Sequence, residues 1–130
     1  MQKNFEMIAK KLQSILPQNW EKVCLYSEIE ENSYETVFYC FIKGNAQPIQ
    51  CYNLVDEYEI EEDDIDDVFY EINKILKSEW IKLKEKGKDV WTNYTFILES
   101  NGKFFEEYDY SDLSEGAYDY KKTWKEKYLK

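Results

Sequence analysis

The feature that most constrains the fold is a hairpin signal in WTNYTFILESNGKFFEEYDY, residues 91–110. Two runs rich in aromatic and β-branched residues flank Asn101 and Gly102, and both of these residues tolerate positive φ. The segment therefore predicts a C-terminal hairpin in which residues 92–99 pair antiparallel with residues 103–110.

Three further segments have the composition of strands, namely residues 21–30, 34–43 and 49–54. In the first of them, Leu25 lies on one face with its apolar neighbours at odd positions, while Cys24 and Tyr26 lie on the other. The connections between these segments are too short for a crossover, so they predict a three-stranded antiparallel meander.

Helical periodicity marks three other parts of the chain. Residues 2–16 form an amphipathic helix that Pro17 stops, and residues 120–129 form a short last helix. A long central helix carries acids at its start, lysines at its end and Gly87 as its stop. Its apolar stripe contains Ile65, Phe69, Ile72, Leu76, Trp80 and Leu83. We predict one α+β domain over residues 1–130, in which helices cover one face of the antiparallel sheet.

The charge balance favours a basic partner. The chain of 130 residues has 27 acidic residues against 17 lysines, with no arginine and no histidine, and its net charge is -10. A chain of this charge is repelled by nucleic acid and by anionic membranes. The absence of histidine removes the usual general base near neutral pH. A basic protein is the electrostatic complement, and no cofactor is predicted.

Cysteine usage and hydropathy point to a cytoplasmic protein. Cys24, Cys40 and Cys51 show no CxxC spacing, so we expect small core residues rather than a disulfide framework or a zinc site. The N-terminal segment is not a signal peptide, and no segment is long enough to span a membrane.

The sequence DEYEIEEDDIDD, residues 56–67, places nine carboxylates within twelve residues. A helix N-terminus accounts for the later acids, which are Asp63, Asp64, Asp66 and Asp67. It does not account for the earlier ones, which are Asp56, Glu57, Glu59 and Glu61.

Four interpretations of this acidic run remain open. It is a solvated face, as most charge runs are. It is a Ca²⁺ or Mg²⁺ site at Asp63, Asp64 and Asp67, although the EF-hand spacing is absent. It is a catalytic carboxylate pair, although no arginine, histidine or glycine-rich loop supports one. Or it is an anionic surface that enters the basic groove of another protein.

A second acidic group interleaves with tyrosines in the C-terminal hairpin and the loop after it. These acids either face water beside a sheet core or form a tyrosine-rich recognition surface. We predict no catalytic and no metal-binding residue, and a partner-binding set that joins the two groups. Its members are Asp56, Glu57, Glu59, Glu61, Glu62, Asp63, Asp64, Asp67, Glu107, Asp109, Tyr110 and Asp112.

Several segments together resemble the YezG-like immunity (antitoxin) proteins of Gram-positive bacteria. They are ILPQNWEKVCLYSEI, YETVFYCF, EWIKLKEKGKDVWTNYTFILESNGKFFEEYDYSDL and the terminal WKEKYL. The resemblance covers nearly the whole chain, and WTNYTFILESNGKF and WKEKYL are its most specific parts.

The resemblance implies a non-enzymatic protein that binds and neutralises a cognate nuclease toxin domain. In this family the target is similar to the C-terminal nuclease domain of polymorphic toxins, including LXG-type toxins exported by type VII secretion. The immunity protein would stay in the cytoplasm of the producing cell. A small acidic adaptor or scaffold for another basic protein is the alternative.

Overall fold

The computed structural model describes residues 3–130, so the predicted helix start at residue 2 lies outside the described residues. Helices and strands follow one another along this part of the chain. In order they are α1 (Asn4–Gln13), β1 (Trp20–Ile29), β2 (Tyr34–Ile42), β3 (Ile49–Gln50), α2 (Asn53–Tyr58), α3 (Glu62–Glu85), β4 (Asn93–Glu99), β5 (Phe104–Asp109) and α4 (Ala117–Tyr128).

The strands form one sheet in the order β3-β2-β1-β4-β5, in which all neighbours are antiparallel. The predicted α+β class, the meander and the C-terminal hairpin are confirmed. The hairpin joins the meander through β1 and β4, so Leu25 on β1 lies between Phe38 on β2 and Phe96 on β4. All three side chains are fully buried at the centre of the sheet.

In the turn of the C-terminal hairpin, Asn101 and Gly102 have different roles, although the sequence suggested that both could adopt positive φ. Only Gly102 has a positive φ, +95°, and its N–H donates to the Glu99 carbonyl at 2.9 Å. The side-chain oxygen of Asn101 instead accepts from the N–H of Lys103 at 3.0 Å. Glu99 N–H also donates to the Lys103 carbonyl at 2.8 Å, which closes a three-residue loop with glycine in the left-handed position.

Helices cover both faces of the sheet, so the expectation that they cover only one face is wrong. One face packs against α1 and α3, and the other face packs against α4 through Trp124. Along β1 the predicted alternation is confirmed, with Leu25 on the first face and Cys24 and Tyr26 on the second. Because the second face also carries aromatic side chains, α4 must cover it to remove them from water.

The predicted third strand ends early. Only Ile49–Gln50 pairs with β2, and the chain then turns into the short helix α2, which the sequence did not predict. Leu54 is fully buried, and Val55 and Tyr58 pack around it at helical spacing. A short apolar run in a sequence is compatible with a strand or with one and a half turns of helix. Here the contact of Leu54 with the core favours the helix.

The central helix α3 matches its predicted stripe and both of its predicted ends. Its stripe residues are buried from Ile65 to Trp80. At the C-terminus, Gly87 N–H donates to the Lys84 carbonyl at 3.0 Å, and Lys88 N–H donates to the Leu83 carbonyl at 3.1 Å. With Gly87 at φ +70°, these two bonds form a Schellman cap that ends the helix at the predicted glycine.

The three cysteines are buried free thiols, as predicted for small core residues. Burial raises the pKa of Cys24 to about 11 and that of Cys40 to about 12. These thiols therefore stay protonated near neutral pH and contribute packing rather than nucleophilic chemistry.

Candidate partner-binding surface

The acidic run lies on α2, on the linker that follows it and on the first two turns of α3. All nine of its carboxylate residues are exposed. The apolar residues between them point the other way, since Val55, Tyr58 and Ile60 pack against the core and Ile65 is fully buried. The alternation of acids with these anchors fixes the segment to the sheet edge and presents its carboxylates to solvent.

Helix N-termini account for a different set of acids from the one predicted. The first turn of α3 contains Glu62, Asp63 and Asp64, and the first turn of α2 contains Asp56. A carboxylate in such a position contributes about 0.3–1 kcal/mol, and the effect falls off beyond the first turn. Asp66 and Asp67 lie in the second turn of α3, beyond the full effect. Glu61 is the N-cap residue of α3, although its side chain makes no capping hydrogen bond. Glu57 and Glu59 are left without a helix-terminus explanation.

Glu59 has a left-handed backbone conformation, with φ 56° and ψ 37°. It is the one non-glycine residue with positive φ among residues 3–130. This conformation costs a non-glycine residue roughly 1–2 kcal/mol, which the packing of Ile60 behind it offsets. The reversal at Glu59 ends α2 and separates the acids of α2 from those of α3.

The carboxylates of the acidic run have no basic partner within the described part of the chain. The ion pairs found there join Lys74 to Glu71, Lys84 to Glu31, and Lys121 to Glu28 and Glu35. None involves residues 56–67, so this edge of the molecule carries uncompensated negative charge. Among residues 3–130, no three acidic or cysteine side chains are grouped closely enough to hold a metal ion.

The C-terminal acids of the predicted set are used within the fold to a greater extent. Glu107 accepts a hydrogen bond from the Tyr128 hydroxyl at 3.2 Å, which ties β5 to α4. Asp109 accepts one from Ser111 N–H at 2.7 Å, and Asp112 accepts one from Ser114 N–H at 3.0 Å.

These hydrogen bonds act on the pKa values of the two aspartates. Burial raises the pKa of Asp109, but the hydrogen bonds from Ser111, Tyr120 and Asn93 outweigh it and hold the pKa below its ordinary value. The bond from Ser114 N–H lowers the pKa of Asp112. Tyr110 is more than half exposed, and so it is free to contact a partner.

The structure does not bring the two predicted groups together. The acidic run follows β3 at one edge of the sheet, and Glu107 and Asp109 lie on β5 at the opposite edge. Four strand spacings separate these edges, which is about 19 Å. Glu107 and Asp109 also lie on the face that α4 covers, where Glu107 bonds to Tyr128 and Asp109 lies beside Tyr120. The two groups therefore do not form one continuous surface.

The family model for YezG-like immunity proteins matches residues 1–130. The chain belongs to the YezG-like immunity protein family. The resemblance seen in the sequence motifs is therefore confirmed over the full length of the chain.

The chain is also similar to named proteins of three bacteria. The chain is 29% identical to "Immunity protein YezG" of Bacillus spizizenii over 84% of its length and 68% of the relative's. It is 28% identical to "Immunity protein YezG" of Bacillus subtilis over 87% of its length and 75% of the relative's. It is 26% identical to "Type VII secretion system protein EsaG" of Staphylococcus aureus over 86% of its length and 69% of the relative's.

The helices of this YezG-like protein bear on its possible partners. No helix within residues 3–130 combines the length and the hydropathy that a membrane crossing requires.

A pair of carboxyl groups, Glu79 and Glu106, lies between α1, α3 and β5, where Glu79 accepts hydrogen bonds from Asn4 and Tyr108. Burial, together with the charge of Glu79, raises the pKa of Glu106. This pair connects three elements of the fold, and it lies apart from the exposed acidic run.

A groove beside α3 was not predicted from the sequence. Tyr34, Tyr70 and Ile81 line it, and all three are among the exposed large apolar side chains. A signal for two of them was present, because Tyr70 and Ile81 lie off the buried stripe of α3. The third, Tyr34, is the first residue of β2, which only the folded chain brings next to α3.

Proposed function

We propose that this protein neutralises the nuclease domain of a cognate polymorphic toxin of the LXG type, exported by type VII secretion, by binding it through the acidic surface of residues 56–67. The observation that carries the proposal is the run of nine exposed carboxylates without a basic partner among residues 3–130. Membership of an immunity protein family supplies the class of partner, a toxin. The likeness to a type VII secretion system protein supports the export route.

Electrostatics support a nuclease as the target. A nuclease holds a polyanionic substrate, and its substrate groove is therefore basic. An exposed acidic surface is complementary to such a groove and raises the rate of encounter, toward ~10⁸–10⁹ M⁻¹s⁻¹ at low salt. The acids of residues 56–67 make no ion pair with a lysine of the described chain and lie close together, so their field extends outward from one edge.

The rigidity of the acidic surface favours binding as well. Ile60 and Ile65 pack on either side of Glu61–Asp64 as anchors in the core, and the turn at Glu59 has a defined backbone conformation. A surface that is already ordered loses less conformational entropy when it binds. The chain would act as a stoichiometric inhibitor in the cytoplasm of the producing cell, without catalysis of its own.

The test is co-expression with the C-terminal nuclease domain of the toxin encoded beside this gene. We expect this protein to restore growth and to form a complex that survives gel filtration. Absence of both growth rescue and a complex would contradict the proposal. A pull-down that reproducibly returns a different basic protein, and no nuclease, would favour the adaptor function instead.

A further inference from the structure

The outer face of α3 continues from the acidic run into an open groove. At 100° per residue, one side of the helix, away from its buried stripe, carries Asp63, Asp67, Tyr70, Lys74 and Ile81. Tyr70 is 58% exposed and Ile81 is 41% exposed, and Tyr34 faces them at 55% exposure. The groove between them has a volume of about 950 Å³.

One wall of the groove is the turn between β1 and β2, and two lysines of α3 hold it in place. The Lys77 ammonium donates to the carbonyl oxygens of Glu30 and Glu31, the latter at 2.8 Å. The Lys84 ammonium lies 2.5 Å from the Glu31 carboxylate. These contacts fix the distance between the turn and the helix, so the groove exists before any partner arrives.

The floor of the groove is equally well ordered. Asn73 is 3% exposed, and its side-chain oxygen accepts from Thr36 at 2.8 Å and from Ser27 at 3.2 Å. Its amide group donates to the Phe69 carbonyl at 2.8 Å. A buried polar network with this many satisfied bonds locks α3 onto β1 and β2.

We propose that this groove receives a segment of the toxin domain in which an apolar anchor side chain is flanked by Lys or Arg. This inference rests on the proposed function. The anchor would pack between Tyr34, Tyr70 and Ile81, and the basic residue would face Asp63 and Asp67. Apolar side chains clustered in a groove, with charges at the edge, are the arrangement that anchors protein partners.

The dimensions and charges favour a polypeptide segment over a small ligand. From Asp67 to Ile81, α3 advances fourteen residues, which is about 21 Å. The negative charge of Asp63 and Asp67 lies beyond one end of the groove, whereas Lys74 and Lys82 line its length and Glu85 lines its far end. The groove therefore selects the direction of the segment, with its basic residue toward the start of α3.

The test measures dissociation from the purified, catalytically inactivated nuclease domain of the neighbouring toxin. We expect the double variant Tyr70→Ala, Ile81→Ala to dissociate at least about tenfold faster, since truncation of anchor residues acts mainly on the off-rate. Ser78→Trp fills the groove without removing an anchor, and we expect it to weaken binding as well. Tyr118→Ala removes a tyrosine that is 80% exposed on α4 and serves as the matched control.

Each result has a distinct meaning. If the wild-type protein binds and both groove variants bind with the wild-type off-rate, the groove does not hold the toxin and this inference is wrong. If the wild-type protein forms no complex, the proposed function itself fails. All the substituted side chains are exposed, and thermal melting of each variant verifies that it is folded.

Discussion

The Tyr52 hydroxyl donates a hydrogen bond of 2.6 Å to the Asp66 carboxylate. Among the nine acids of residues 56–67, Asp66 is the one whose carboxylate bonds to another described side chain. The Tyr52 ring also packs edge-on against Phe69, with 6.0 Å between ring centroids. The pair thus joins the start of α3 to the residue that precedes α2, and so holds both ends of the acidic segment.

We expect Tyr52→Phe to remove this hydrogen bond while it preserves the ring contact. Because the pair is exposed, the free energy of unfolding should fall by about 0.5–1.5 kcal/mol, toward the lower end of that range. Urea denaturation measures the change. Tyr70→Phe, a substitution at an exposed tyrosine of the same helix, is the control and should leave stability within about 0.5 kcal/mol of wild type.

Trp124 provides a test of the two-faced architecture. Its indole N–H donates to the Thr95 hydroxyl at 2.9 Å, and its ring lies 5.2 Å from that of Tyr26. We expect Trp124→Ala to lower the free energy of unfolding by about 3–5 kcal/mol, as for other buried aromatic residues. Tyr118→Ala on the same helix should change it by less than about 0.5 kcal/mol. Equal, small effects would show that α4 does not cover the second face.

Glu106 should make stability depend on pH. Burial, and then the charge of Glu79, raise its pKa, although hydrogen bonds from Tyr108 and Tyr94 oppose the shift. Because the pKa of Glu106 is higher in the folded state, its protonated carboxyl group stabilises the fold. This stabilisation is complete at pH values below the pKa of the unfolded state, about 4.3, and it is lost as the pH rises through the pKa of the folded state.

We therefore expect Glu106→Gln to raise the free energy of unfolding at pH 7, by less than about 1 kcal/mol because the carboxyl group is only partly buried. The difference should vanish near pH 3. Denaturation curves across this range measure it, with Glu126→Gln on the exposed face of α4 as the control. A Glu106→Gln variant that is less stable at pH 7 would show that the ionised carboxylate stabilises the fold.

The sequence predicted those elements whose signals are local. Gly102 and Gly87 marked a turn and a helix end, and the spacing of Ile65, Ile72 and Leu76 marked the buried side of α3. Leu54 was misassigned to a strand because its burial depends on the core beneath it rather than on its neighbours in sequence.

The candidate surface was less predictable than the fold. Its acids are visible as a run, but the absence of lysine partners within the described residues depends on the tertiary structure. The groove brings together Tyr34 and Tyr70, which are far apart in the chain, and no local pattern links them. The face of the sheet that α4 covers also depends on a tertiary contact, namely the packing of Trp124 against Tyr26.

In the proposed complex, the position of the acids rather than the total charge of the protein guides binding. A test variant replaces Asp56, Glu57, Glu59, Glu61 and Glu62 with the corresponding amides. A matched control replaces the same number of exposed acids elsewhere, namely Asp89, Glu99, Glu115, Asp119 and Glu126. Both variants change the net charge by the same amount, so a difference between them reports the location of the acids.

The decisive measurement is the association rate with the inactivated toxin nuclease domain as a function of salt concentration. We predict that the test variant associates about tenfold more slowly at low salt and with a weaker salt dependence, while the control variant stays close to wild type. Equal association rates and equal salt dependence for the wild type and both variants would contradict the assignment of residues 56–67 as the toxin-binding surface.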